Sequence, residues 1–213
     1  IAHQWRQPLN LITVATTGIQ LHQQMKTLDD KIMEEYSGSI LTQANYLSHT
    51  IDTFKNFIQK ENSEQVVVLH EEIDEAIKIV ETVLKSNFIE LDVTLIQNNP
   101  VSIRTQKGEL TQVFINILNN AKDVLVQRKI DNPVIKVAMT ESKTDILISI
   151  EDNGGGIDAN TLPHIFDPYF TTKHQSQGTG LGLYMSYQII TESMKGTLEV
   201  KNSKKGAIFT IKL

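Results

Sequence analysis

The chain has 213 residues, 20 Lys and Arg against 25 Asp and Glu, a formal net charge of −5 and no cysteine. This length suits one large or two small cores; the acidic balance argues against nucleic acid as a partner, and the absence of cysteine excludes disulfide and thiolate chemistry. No apolar run approaches the roughly 18–20 residues needed to span a bilayer, and no signal peptide is visible. The first residue is Ile rather than Met, so the chain reads as a fragment of a longer protein; a cytoplasmic location is expected for the fragment, with any inner-membrane anchor of the parent in missing N-terminal segments.

Residues 1–60 read as helix throughout. Between Ile40 and Ile58, apolar or small residues fall at 40, 44, 47, 51, 54 and 58, which is a heptad seam. Upstream, Trp5, Leu9, Ile12, Ala15 and Ile19 follow similar spacing. The polar run from Lys26 to Asp30, with Asp29 or Asp30 as an N-cap, marks a turn. The expectation is an antiparallel helical hairpin. Two such helices make a poor core alone, so a homodimer forming a four-helix bundle is the economical solution; a hairpin packed on its own second domain is the alternative.

Residues 61–65 form a short polar linker, and residues 66–213 change to a mixed α and β pattern. Val66–Leu69 is a β-branched run, Glu71–Lys85 an amphipathic helix, Glu90–Ile96 an alternating strand, and Glu109–Val126 a helix with one apolar face. Val134–Met139 and Asp145–Ile150 flank a turn around Ser142-Lys143, and a glycine-rich, loop-like region runs from Asn153 to Gly180. Leu181–Met194 reads as helix, and Thr197–Lys201 and Ala207–Lys212 as closing strands. Strands and three helices without strict βαβ alternation predict an α+β domain with helices on one sheet face.

Three stretches of this second domain carry chemistry. Asp152-Asn153-Gly154-Gly155-Gly156 follows the strand ILISI. Its glycines let the backbone approach a flat ligand, and Asp152 offers an acceptor for an exocyclic amine such as that of adenine; a plain Asn-Gly turn is the competing reading. Gly178-Thr179-Gly180-Leu181-Gly182-Leu183 leads into a helix, where backbone N–H groups favour an anion. No Gly-Lys-Ser/Thr follows, so it is not a Walker loop. Between them, IFDPYFTTK (residues 165–173) reads either as a loop anchored by Phe166 and Phe170 or as a lid. Finally, Asn116 and Asn120 stand four apart on one helix face amid Val, Ile and Leu. Their amide oxygens suit a Mg²⁺ shell completed by phosphates and water; two simply solvated asparagines are the competing reading.

Together these stretches resemble the ATP-binding domain shared by histidine kinases, type II topoisomerases, Hsp90 chaperones and mismatch-repair MutL proteins. NILNNA is similar to its N box, DNGGG to its first glycine box, FDPYFTTK to its F box and GTGLGL to its second glycine box, all in order. The resemblance implies a Bergerat α/β sandwich with a mobile lid. It further implies Mg²⁺ on Asn120, the adenine amino group on Asp152, and phosphates wrapped by Gly178, Gly180 and Gly182. Asn116, Asp123, Gly154, Gly156, Phe170, Lys173, Thr179 and Leu181 complete the expected ATP-binding set. Lys122 is a further contact near the metal, and Thr171 and Thr172 are candidates to meet the histidine-bearing helix.

The opening IAHQWRQPLN resembles the H box of sensor histidine kinases, with Arg6 and Pro8 three and five residues after His3. By that resemblance, residues 1–60 are a dimerisation and phosphotransfer hairpin and His3 is the phosphoacceptor. The phosphoryl group would then pass to an aspartate on a response-regulator receiver domain. Gln4 stands where the family has an acidic residue; an amide cannot act as a base, although its carbonyl can fix the imidazole tautomer. Gln7 occupies the position of the residue that orients a hydrolytic water, and is expected to support dephosphorylation of the partner. The alternatives are an ATPase of the same superfamily and a non-catalytic ATP-binding scaffold. The ATPase is disfavoured by Asn116, which stands where those enzymes carry a water-activating glutamate.

Overall fold

The computed structural model describes the backbone of residues 2–58, 64–95, 101–141, 145–173 and 179–213, and their side chains apart from 2–7, 45–46 and 48–58. The chain divides into two compact units, one of Ile1–Lys60 with Thr171–Thr179, the other of Glu61–Phe170 with Gly180–Leu213. Most of the linker expected at 61–65, and the turn at Ser142-Lys143, lie outside the described residues.

In the first unit, α1 (Ala2–Gln24) and α2 (Asp30–Ile58) form the expected hairpin. α1 continues through Pro8, although a proline has no N–H to give the carbonyl four residues earlier. The turn closes by named contacts. Lys26 takes a left-handed backbone (φ 57°), the N–H of Thr27 donates to the His22 carbonyl at 2.9 Å, and Asp29 caps α2 by accepting from the N–H of Ile32 at 2.8 Å. Ala15 and Gln43 are buried, whereas Ala44 is exposed. Inside the hairpin, then, the seam of α2 runs through Gln43 rather than through Ala44 as the heptad reading had it. A second row stays outside: Val14 is 65% exposed, and Leu21, Met25, Met33 and Leu41 are exposed with it.

The second unit has two sheets. β1 (Gln65–Val68) pairs antiparallel with β3 (Ser102–Thr105). The larger sheet runs in the order β2 (Glu90–Thr94), β4 (Val134–Glu141), β5 (Ile146–Asp152), β7 (Ala207–Lys212), β6 (Thr197–Asn202), with only the β2–β4 pair parallel. Period-two alternation sends Ile135, Val137 and Met139 of β4, Ile148 and Ile150 of β5, and Phe209 and Ile211 of β7 into one core. That core is covered by α3 (Leu69–Ser86), α4 (Glu109–Gln127) and α5 (Gly182–Gln188), while Lys136, Thr140, Glu199 and Lys201 stay exposed. This is the expected α+β layer. The helix expected over Leu181–Met194 is split, with α5 followed by a π-helical turn at Ile189–Ser193.

One polar tie crosses the helical layer. Glu72 of α3 is only 4% exposed; its Oε2 accepts from the Thr111 hydroxyl at 2.7 Å and from the Thr111 N–H at 3.1 Å. The first turn of α4, whose N–H groups lack intrahelical acceptors, is thereby capped from the neighbouring helix.

Helix α3 ends on a Schellman motif. The N–H of Ile89 donates to the Leu84 carbonyl and that of Phe88 to the Lys85 carbonyl, both at 3.0 Å. The left-handed position, usually glycine, is Phe88, with φ 56° and 88% exposure. An L side chain there costs roughly 1–2 kcal/mol, and this one has little packing to lose. Phe88→Gly is therefore expected to stabilise the fold by about 1 kcal/mol, less the added chain entropy of glycine. Denaturant midpoints of the two proteins check this, and a lower midpoint for the variant would refute it.

Candidate functional site

The last residue of β5 is the centre of the site. Asp152 is 6% exposed, and its Oδ1 accepts from the N–H of Gly154 at 2.7 Å and, more weakly, from that of Ala207 at 3.4 Å. Among the described residues nothing donates to Oδ2. Burial pushes the carboxyl pKa up from its ordinary value; the two backbone N–H groups and the Arg128 charge pull it back, and Glu151 adds to the rise.

The turn after Asp152 is held at every residue. Asn153 accepts from the N–H of Val134 and donates to the Asn132 carbonyl, each at 2.9 Å. The N–H of Gly155 donates to the Lys205 carbonyl at 2.8 Å. Arg128, at the C-cap of α4, donates through Nη1 to the carbonyls of Gly154 and Gly156. Asn202 takes both backbone groups of Ile157, accepting its N–H at 2.8 Å and donating to its carbonyl at 2.7 Å. Gly155 and Gly156 have φ of 85° and 78°, left-handed conformations that favour glycine.

On α4 the two asparagines differ. Asn116 donates from Nδ2 to the Gly182 carbonyl and to Ser186 Oγ, both at 3.2 Å, and accepts from Gln112 at 3.1 Å. Its amide ties α4 to α5. Asn120, one turn on, is half-buried. Lys122 pairs with Asp123 at 2.9 Å. Among the described residues no group of three or more His, Asp or Glu could hold a metal ion by itself.

The loop before α5 is closed at its base. The N–H of Tyr169 donates to the Gly180 carbonyl at 2.8 Å. Gly180 has φ 63°, and a Cβ there would lie 2.3 Å from the Tyr169 carbonyl carbon, so no other residue fits. Phe166 stacks against Tyr187 with ring centroids 5.2 Å apart, and His164 pairs with Asp167 at 2.8 Å.

Of the expected site residues, Asn116, Asn120, Asp123, Asp152, Gly154, Gly156, Phe170, Gly180, Leu181 and Gly182 all belong to the sheet-bearing unit. Thr171, Thr172, Lys173 and Thr179 belong to the other unit, where Thr171 Oγ1 accepts from the N–H of Lys173 at 3.1 Å. Gly178 lies outside the described residues. His3, Gln4 and Gln7 stand on α1, with their side chains outside the described set. The sequence reading missed Arg128 and Asn202. Their only local signal is a polar residue just past a helix or at a strand end.

Residues 105–213 match the family of histidine kinase-, DNA gyrase B- and HSP90-like ATPases, and the chain belongs to it. Among curated proteins it is similar to the two-component sensor PprA of Pseudomonas aeruginosa, 28% identical over 100% of this chain and 23% of that protein. It is also similar to the signal transduction histidine-protein kinase AtoS of Escherichia coli, 34% identical over 99% of this chain and 33% of that protein. The chain thus spans a third or less of the length of these two relatives. Among solved structures, histidine kinase ThkA in complex with response regulator protein TrrA superposes with a TM-score of 0.72, at 22% identity, over 100% of this chain and 59% of that one. That likeness carries the fold, a helical hairpin followed by a Bergerat-type domain. Among the described residues no helix is long and apolar enough to cross a membrane.

Asp152→Asn keeps an oxygen for Gly154 and Ala207 while removing the buried charge. Because the folded carboxyl pKa lies above its unfolded value, ionisation destabilises the fold progressively as pH rises from the unfolded pKa through the folded one. The variant is expected to melt higher than the parent at neutral pH, with the gap closing on acidification as the parent's carboxyl takes up its proton. Melting curves across that range check this; a variant melting lower at neutral pH counts against it.

Proposed function

We propose that this chain is the core of an ATP-dependent protein-histidine kinase that phosphorylates its own His3 and passes the phosphoryl group to an aspartate of a response regulator. The observation that carries the reading is the buried Asp152 carboxylate, with one oxygen engaged by the backbone and the other without a donor among the described residues. It suits recognition of an exocyclic amine, as in adenine. The family match and the sensor-kinase relatives agree with it.

On this reading, Asp152 and the Gly154–Gly156 turn bind the base, and Thr179, Gly180, Leu181 and Gly182 lead the phosphates toward the start of α5. Asn120 would hold a Mg²⁺ ion together with phosphate oxygens and water, which suits a site with no carboxylate cluster among the described residues. The ion supplies neutralisation of charge on the transferred group. Neutral imidazole is the nucleophile. A ring nitrogen of His3 bonds to the γ-phosphorus, the bond to the β–γ bridging oxygen breaks, and ADP departs with that electron pair. The Gln4 carbonyl orients the ring through its other N–H, and the released proton goes to solvent. Residues 1–60 serve as the dimerisation and phosphotransfer domain, joined at 61–65 to the catalytic domain of 66–213. Pairing of two hairpins would cover the exposed row through Val14, Leu21, Met25, Met33 and Leu41. The regulator partner is supported by the complex that ThkA makes with TrrA.

Hydrolysis to phosphate is the weaker reading. Asn116 stands where an ATPase needs a base; an amide cannot deprotonate water, and its hydrogens already go to Gly182 and Ser186.

Incubation with γ-labelled ATP and Mg²⁺ is expected to place acid-labile, alkali-stable label on the protein, absent from His3→Gln. Phosphate release without labelled protein would favour the ATPase, and neither product would favour a binding scaffold. With a cognate regulator added, Gln7→Ala is expected to lose dephosphorylation of the regulator while keeping autophosphorylation. Loss of both would remove Gln7 from that role.

A further inference from the structure

We infer that Arg128 is a positioning residue for nucleotide binding, its guanidinium locking the Gly154–Gly156 turn in the shape that presents Asp152 to the base. The inference rests on the adenine-binding reading of Asp152 given above. Arg128 is the C-cap of α4, eight residues beyond Asn120 on the chain. One terminal nitrogen, Nη1, bonds the carbonyls of both Gly154 and Gly156, which flank Gly155 on either side. Gly155 and Gly156 are left-handed, and glycine has no intrinsic preference for that hand. The turn therefore needs an external restraint to stay in it, and charge-assisted bonds to the two carbonyls on either side of Gly155 are a strong one. The same residue connects the helix carrying Asn120 with the turn that follows Asp152. A displaced end of α4 would therefore be felt at the base pocket.

Arg128 also acts through its charge. The groups around Asp152 are few: Arg128 from the end of α4, Glu151 on the same strand, and the N–H groups of Gly154 and Ala207. Val124 of α4 faces the turn with an apolar side chain. Arg128 is thus the one side-chain cation in this set, opposing both burial and Glu151 and favouring the ionised acceptor.

The test measures ATP affinity calorimetrically across pH for the full chain and for Arg128→Met, Arg128→Lys and Asp152→Ala, with nucleotide-free melting of each. Arg128→Met is expected to stay folded, because the Arg128 side chain is exposed, with a modestly lower melting temperature from loss of its bonds to Gly154 and Gly156. It should nevertheless bind ATP about tenfold more weakly or worse, as loss of charged hydrogen bonds implies. Its affinity should also fall away at a higher pH on acidification than the parent's. Arg128→Lys restores the charge but not the planar donor group. It should return the pH limb towards the parent's while recovering only part of the affinity. If both variants bind as the parent does, with an unmoved limb, Arg128 has no positioning role. If Arg128→Met fails to fold, the Lys variant decides: parental affinity overturns the inference and a deficit with a parental limb supports it. Asp152→Ala separates the two claims. If it binds ATP normally, the base-pocket reading falls and takes this inference with it. If it loses binding while the Arg128 variants keep theirs, only this inference falls.

Discussion

A carboxylate held away from water depends on neighbouring donors that are already in place, and Asp152 sets that condition for the whole site. The Gly154 N–H reaches it because the chain turns sharply after β5, and the Ala207 N–H because β7 starts alongside. The turn is fixed in its own right by Arg128 from α4, Asn202 from β6, Asn153 against the start of β4 and the Lys205 carbonyl. α4, β4, β6 and β7 therefore all help to hold the surroundings of one carboxylate. On the proposed reading, such preorganisation leaves little rearrangement to be made on binding. Its cost is the raised pKa, the sign that the fold holds the charge against its solvation preference.

The layering decides which elements reach this corner. The helices α3, α4 and α5 cover the core on one sheet face, and α4 packs against both β5 and α5. α4 serves both the core and the site. Leu110, Val113, Phe114, Ile117, Leu118 and Leu125 face the sheet, while Asn116 reaches α5 and Arg128 reaches the glycine turn. The Glu72–Thr111 tie anchors its first turn. A helix pinned at both ends and through its middle is a rigid ruler for the groups it carries.

Where local pattern and tertiary packing agree, the sequence was sufficient. The seven- and two-residue periodicities predict α1, α2, β4, β5 and β7 close to their observed limits, because each buries a continuous face. β3 escaped notice: Ser102–Thr105 has one interior apolar residue, Ile103, and exists through its pairing with β1. The π-helical turn after α5 was likewise invisible, since Ile189 and Ile190 satisfy a helical pattern whichever hydrogen bond is made. In the hairpin, Ile40 and Leu47 of the expected seam are half-buried, but Gln43 rather than Ala44 is the buried residue between them, a position that hydrophobicity alone does not single out. At the site, Gly155, Gly156 and Gly180 stood out in the sequence for a physical reason, since each has a positive φ that favours glycine. Arg128 and Asn202 did not, because long-range bonds to carbonyls leave no mark on neighbouring residues.

The contrast between the two asparagines of α4 bears on which chemistry the site favours. An acid at position 116 would be both a potential base and a second negative charge facing the Gly182 carbonyl and the Ser186 hydroxyl. The amide instead donates to both groups, which draws the start of α5 toward α4 without charge. On the proposed reading this has two consequences at once. The backbone that meets the phosphates is held by a neutral strut that does not repel them, and water near the γ-phosphate finds no carboxylate at 116 to take its proton. Slow hydrolysis and a well-placed phosphoryl donor then arise from the same side chain, and a nucleophile brought by another part of the chain has less competition from solvent.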